Sequence, residues 1–220
     1  MAEYKRYCPK CESINGICDA CRIEAQNAWR KALPLKYRNA QIANFNKTKA
    51  VSTVISFADY FLDSKNEARW LFVSGNAGVG KTHLVCAMCN YITEKGQIDN
   101  AITNEPFVIM KDQEFMFNIQ YAHAGRGKQN VNEVVDEIVQ KSKKKLIIID
   151  NLAHGTPRTD IALSVYDYML DLIYESKGWL VMVSNHELKD MGHYIGDYAT
   201  DRIAEMAKSH IVHVAGESRR

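Results

Sequence analysis

WLFVSGNAGVGKTHLVCAMCNYI, residues 70–92, runs from an apolar strand through a glycine-rich loop into a helix. The strand ends at Ser74. The loop Gly75, Asn76, Ala77, Gly78, Val79, Gly80 then leads to Lys81, Thr82 and His83 at the head of the helix. Glycine has no Cβ, so backbone amides here can turn inward toward phosphate oxygens. The helix N-terminus adds partial positive charge at the same place. In such a loop the lysine, Lys81, reaches the β- and γ-phosphates and the Thr82 hydroxyl ligates Mg²⁺. The bare pattern arises by chance in roughly one chain in a hundred of this length. The strand before it and the helix after it make coincidence rarer still. The predicted ligands are ATP and Mg²⁺.

Outward from this loop, apolar strands alternate with amphipathic helices, which is the signature of a parallel sheet in a three-layer α/β fold. Strands are predicted at 70–73, 107–110, 146–149, 180–183 and 211–214. Helices are predicted at 52–64, 81–95, 113–122, 132–142, 161–176 and 198–208. KKKLIIIDN, residues 143–151, holds an unbroken apolar run, as expected of a central strand covered on both faces. Asp150 stands at its carboxyl end, the edge where ligands collect in open α/β sheets. There a carboxylate can hold Mg²⁺ through water. Asn151 follows; a carboxamide can orient a water but cannot take its proton.

The 220 residues are 46% hydrophobic and 25% charged, with a formal net charge of +2, the profile of a globular domain rather than a strongly basic nucleic-acid binder. No apolar run approaches the ~20 residues needed to span a bilayer. The start, MAEYKRYCPK, lacks the apolar stretch of a signal peptide. A cytoplasmic location without membrane attachment is expected, where thiols stay reduced. The six cysteines are therefore metal ligands or core residues. CPKCESINGICDAC pairs Cys8 with Cys11 and Cys18 with Cys21, six residues apart, with Asn15-Gly16 as the intervening turn. Four thiolates so spaced make a closed structural Zn²⁺ site, with iron the alternative. Cys86 and Cys89 repeat the spacing inside a helix and are expected to be buried core thiols. The domain plan is a zinc-binding module at 1–22, a linker and pre-core segment at 23–44 with a short basic helix ending near Pro34, and the ATPase domain at 45–220.

These motifs resemble the DnaC/DnaI-type helicase loaders, AAA+ ATPases grouped with the IstB transposition helpers. The resemblance covers residues 33–220. LPLKYRNAQIANF (33–45) is similar to the family's stretch before the ATPase core, near the adenine. GNAGVGKTHL is similar to its phosphate loop, and LIIIDNLA sits where the family has an acidic pair, with Asn151 in place of the usual glutamate. VMVSN resembles the sensor 1 strand, which implies that Asn185 contacts the γ-phosphate or the lytic water. DRIAEM resembles the box carrying the arginine finger, offered by Arg202 to a neighbouring subunit. GESRR resembles the terminal G-x-S-x-R, with Arg220 as a sensor 2-like arginine and Arg219 as the alternative. The chain stops there, so no full helical lid is expected.

The resemblance implies an ATP-dependent loader that delivers a replicative helicase to single-stranded DNA. It implies helicase contact through the zinc module and self-association through the ATP site. YAHAGRGKQN (121–130), a basic loop carrying glycines and an aromatic, is a candidate DNA contact; Lys141 to Lys145 reads as a solvated helix end. The alternatives are an IstB-like transposition helper, a nucleotide kinase and a non-hydrolysing adaptor switched by ATP. The substitution at Asn151 predicts at most weak or partner-stimulated turnover.

Overall fold

The computed structural model describes residues 19–63, 67–95, 106–127, 129–143, 145–154 and 159–218. Among the described residues five strands form one wholly parallel sheet: β1 (Trp70–Ser74), β2 (Phe107–Lys111), β3 (Leu146–Leu152), β4 (Trp179–Ser184) and β5 (Ile211–His213). Their order is β2-β3-β4-β1-β5, so β1 lies between β4 and β5.

The strands alternate their side chains between two helical layers. Trp70, Phe72, Ile147, Ile149, Leu180 and Met182 face α4 (Asp112–His123), α5 (Val131–Ser142), α6 (Asp160–Glu175), α7 (Gly192–Ile195) and α8 (Asp197–Ala207). Leu71, Val73, Ile148, Val181 and Val183 face α1 (Asp19–Ala32), α2 (Lys49–Leu62) and α3 (Lys81–Lys95). With both faces covered, β1 is buried at every position, which is why these strands read as continuous apolar runs. The expected three-layer architecture is present.

Local chemistry sets the helix ends. Thr48 caps α2, its Oγ1 accepting from the Val51 amide at 3.3 Å, so the helix begins three residues before the predicted start. Asn130 and Glu133 form a reciprocal capping box at α5, with bonds of 2.8 and 3.0 Å.

The segment expected to be a linker at 23–44 packs into the core instead. Ala25, Trp29 and Leu33 are buried against the α2–α3 layer. Gln26 Nε2 donates to the Thr93 carbonyl at 3.1 Å, and Arg30 pairs with Glu94 at 2.9 Å. Asn90 Nδ2 ties the next stretch down by donating to the carbonyls of Arg38 and Ala40. α1 is thus an added helix of the layer, docked on the helix that opens at Lys81. Among the described residues no helix is long and apolar enough to cross a membrane.

Candidate nucleotide-binding site

Parallel pairing brings the carboxyl ends of β1, β3 and β4 to one edge, and the glycine loop leaves that edge from β1, between β4 and β5. Gly75 has φ +144, and a Cβ there would stand 2.3 Å from the Val214 carbonyl oxygen, so only glycine can leave β1 alongside β5. Gly78, at φ +87, passes equally close to Ser218: a Cβ would lie 2.2 Å from its hydroxyl oxygen.

At the head of α3 the Lys81 side chain curls back over the loop. Its Nζ donates to the carbonyls of Gly75 and Asn76 at 2.8 and 2.9 Å and to Asn185 Oδ1 at 2.8 Å. The residue is 6% exposed. Beside it, Thr82 Oγ1 donates to Asp150 Oδ1 at 2.9 Å. Burial pushes the Asp150 carboxyl above its ordinary value, while the Thr82 and Asn151 hydrogen bonds and the charges of Lys81 and Lys111 pull it back in part. A divalent cation here would reverse that balance and favour the carboxylate.

The strand carrying Asp150 loses regular register between Ile149 and Leu152, and Asn151 and Ala153 adopt left-handed conformations at φ 58 and 60. Ser184, the last residue of β4, bridges to this turn by donating to the Leu152 carbonyl at 2.9 Å, and it accepts from the His186 amide at 3.1 Å. Asn185 is thereby fixed between Lys81 and the end of β3. His83, one residue beyond Thr82, stacks on Tyr37 (ring centres 5.6 Å apart) and packs on Phe45 (4.8 Å), so the pre-core segment builds an aromatic wall next to the loop.

The structure therefore brings together the 75–83 loop, Asp150, Asn151 and Asn185. Arg202 is placed elsewhere, on α8, where it bonds Asp171 at 3.1 Å, Glu205 at 3.2 Å and the Tyr198 hydroxyl at 2.9 Å, and lies 4.3 Å from the Tyr174 ring centre. Arg219 and Arg220 lie outside the described residues. So do Cys8, Cys11 and Cys18; Cys21 falls in the first turn of α1, with its side chain outside the description. Among the described residues no cluster of metal-ligating side chains occurs. Cys86 and Cys89 are buried core thiols, as expected; burial, with a smaller contribution from Asp150, pushes Cys86 up to about 12. The contact of Ser218 with the loop has no local sequence signal beyond its place in GESRR.

The donor set fits Mg²⁺-ATP. A loop that already holds an ammonium against its own carbonyls presents that cation where phosphate oxygens would lie. The Thr82 hydroxyl and Asp150 carboxylate, 2.9 Å apart, are the oxygen ligands a hard divalent cation takes. Bound Mg²⁺ would supply charge neutralisation across the β- and γ-phosphates.

A family model, described as the ATPase family associated with various cellular activities (AAA), matches residues 71–191, more than half of the chain. The chain belongs to the AAA family. Solved structures show the same fold for this AAA protein at low identity. A DnaC helicase loader aligns over 83% of this chain and 100% of its own, at a TM-score of 0.61 and 19% identity. DnaI aligns over 87% and 99%, at 0.61 and 17%. A replication initiator DnaA, solved with AMPPCP and single-stranded DNA, aligns over 84% and 51%, at 0.59 and 15%. No curated protein sequence matches the AAA chain significantly.

Proposed function

We propose that this AAA protein is an ATP-dependent loader that delivers a replicative DNA helicase onto single-stranded DNA. The convergence of Lys81, Thr82, Asp150 and Asn185 on one sheet edge carries the nucleotide half of this reading. A fold shared along the whole solved chain of a DnaC helicase loader supports the other half.

DNA contact is assigned to α4 and the loop after it. Phe117 and Tyr121 are 62% and 46% exposed, and their rings stack 5.9 Å apart and 15° from parallel. Just beyond them the chain carries Arg126 in a glycine-containing turn. Exposed aromatic faces and nearby cations suit unpaired bases and their backbone, and a DnaA of this fold is solved with single-stranded DNA. The helicase contact is assigned to the cysteine module, with Cys8, Cys11, Cys18 and Cys21 holding Zn²⁺; docked α1 would connect it to α3. Self-association would bring Arg202 to a neighbour's ATP, releasing it from Asp171 and Glu205. Arg220 or Arg219 is assigned to the nucleotide in the same subunit.

Asn151 favours a second reading, an adaptor that binds ATP as a switch without turning it over, because a carboxamide accepts no proton. Turnover measured with and without single-stranded DNA separates the two. The loader reading is tested by pull-down of the ring helicase from the native host, followed by unwinding of a forked substrate with and without this protein and ATP. Faster engagement that depends on both is expected. If ATP binds saturably yet the helicase engages equally well alone, the loader assignment is wrong. Without saturable ATP affinity, the nucleotide site is wrong as well.

A further inference from the structure

The turn after Asp150 is unusual for its residue types. Asn151 and Ala153 both carry positive φ; asparagine visits that region more readily than most side chains, but alanine holds it only when its surroundings impose it. Ser184 imposes it from β4, through the Leu152 carbonyl. Asp112 imposes it from the opposite side. Its Oδ2 accepts the Ala153 amide at 3.1 Å, and its Oδ1 accepts the Tyr166 hydroxyl. Asp112 is 2% exposed and Tyr166 1%. Asp112 is also the first residue of α4, directly after Lys111, which pairs in register with Asp150. One buried carboxylate thus joins the start of α4, the middle of α6 and the backbone three residues past the metal-side acid.

We propose that Asp112, held by Tyr166, is a positioning residue for ATP turnover: it fixes the left-handed turn that sets the placement of Asn151. The proposal rests on the reading of this edge as an ATP site. In turnover a water oxygen bonds to the γ-phosphorus while the bond from that phosphorus to the β–γ bridging oxygen breaks. ADP keeps the electron pair, and the water's protons pass to phosphate oxygens and solvent, since the carboxamide accepts none. Asn151 can only orient that water, so its aim counts for more than a base's would, and its aim is set by the turn. A displacement of about 1 Å in such a group costs up to 10²-fold in rate. Because Asp112 opens α4, a shift of that helix also reaches the turn.

The test uses the full chain with Asp112→Ala, Asp112→Asn and Tyr166→Phe, each checked by thermal melting. ATP affinity is read from a fluorescent analogue, and γ-phosphate release from single-turnover assays. Asp112→Ala is expected to lower the release rate by roughly 10-fold or more while the ATP Kd changes less than about threefold. Asp112→Asn keeps a carbonyl for the Ala153 amide and is expected to recover most of the rate. Tyr166→Phe is expected to fall between them and keeps the test open if Asp112→Ala does not fold. Amide exchange over residues 150–154 is expected to rise in the order of the rate losses. Unchanged release in a folded Asp112→Ala, parallel loss of rate and affinity, or no rescue by Asn overturns the proposal. Saturable ATP binding with no turnover in the wild type overturns it too but leaves the binding site standing, whereas absence of ATP binding removes the site itself.

Discussion

Lys81→Ala truncates a residue that is 6% exposed and whose ammonium holds three oxygens, those of Gly75, Asn76 and Asn185, at 2.8 to 2.9 Å. Hydrogen bonds to a charged group contribute roughly 1.5–3 kcal/mol each. ATP does not meet an idle side chain, however. It exchanges neutral carbonyl partners for phosphate oxygens, so most of the hydrogen-bond energy is present before and after. What binding gains is the charge–charge attraction, about 4 kcal/mol for unit charges 4 Å apart at an effective dielectric near 20. Less about 1 kcal/mol for imperfect replacement of the carbonyl bonds, roughly 3 kcal/mol is lost in the variant, which weakens the ATP Kd by roughly 100- to 200-fold. Asn76 is exposed, so water can replace the lysine at its carbonyl, and the melting temperature of the nucleotide-free protein should move by only a few degrees. Titration of a fluorescent ATP analogue at fixed Mg²⁺, alongside a thermal melt, reads both quantities. A folded Lys81→Ala that binds ATP within threefold of the wild type would refute the assignment of the loop.

Three further outcomes are expected. Trp29→Ala should destabilise the fold by about 3–5 kcal/mol in denaturant titration, since Trp29 is buried in the α1–α3 contact, whereas a mere tether would lose under about 0.5. Arg202→Ala should leave ATP affinity unchanged and abolish any turnover that rises with protein concentration; wild-type behaviour in both would remove its role toward a neighbour. His210 lies against Phe57 and Tyr60 with its Nδ1 buried and unbonded. Burial first, then the charge of Arg69, depress its pKa below the ordinary 6.5. The unfolded chain then binds the proton more readily, so this contribution to stability is complete above about pH 6.5 and declines as pH falls toward the folded value. His210→Gln should flatten that part of the stability curve measured between pH 5 and 8.

The parts of the site legible in the sequence are those that a contiguous motif and a parallel sheet deliver together. The glycine loop, Asp150 and Asn185 each follow an apolar run, and in an all-parallel sheet every such run ends on the same edge. No long-range information was needed to bring them together. The docking of α1 was also written locally: Ala25 and Trp29 share one helical face and Leu33, one residue past the helix, continues the four-residue spacing, but the polar residues between them gave the look of a linker. Asp112 is different in kind. Its partners lie 41 and 54 residues away on other elements, and no period or spacing marks a carboxylate whose purpose is to hold a distant backbone turn. The left-handed turn itself had no glycine to announce it.

Arg202 shows how far a motif can be followed within one chain. Its segment resembles an arginine-finger box, yet here the guanidinium is already provided for by two carboxylates, a hydroxyl and an aromatic face on its own surface. To act on a neighbour it must exchange them for something that attracts a cation more strongly. A triphosphate concentrates charge on its terminal group in a way that the exposed Glu205 does not, and hydrolysis removes that group. Under the proposed self-association, the intramolecular contacts of Arg202 would act as a threshold rather than an objection. They would keep subunits apart until ATP occupies the facing edge, so that assembly follows nucleotide state through competition for one guanidinium.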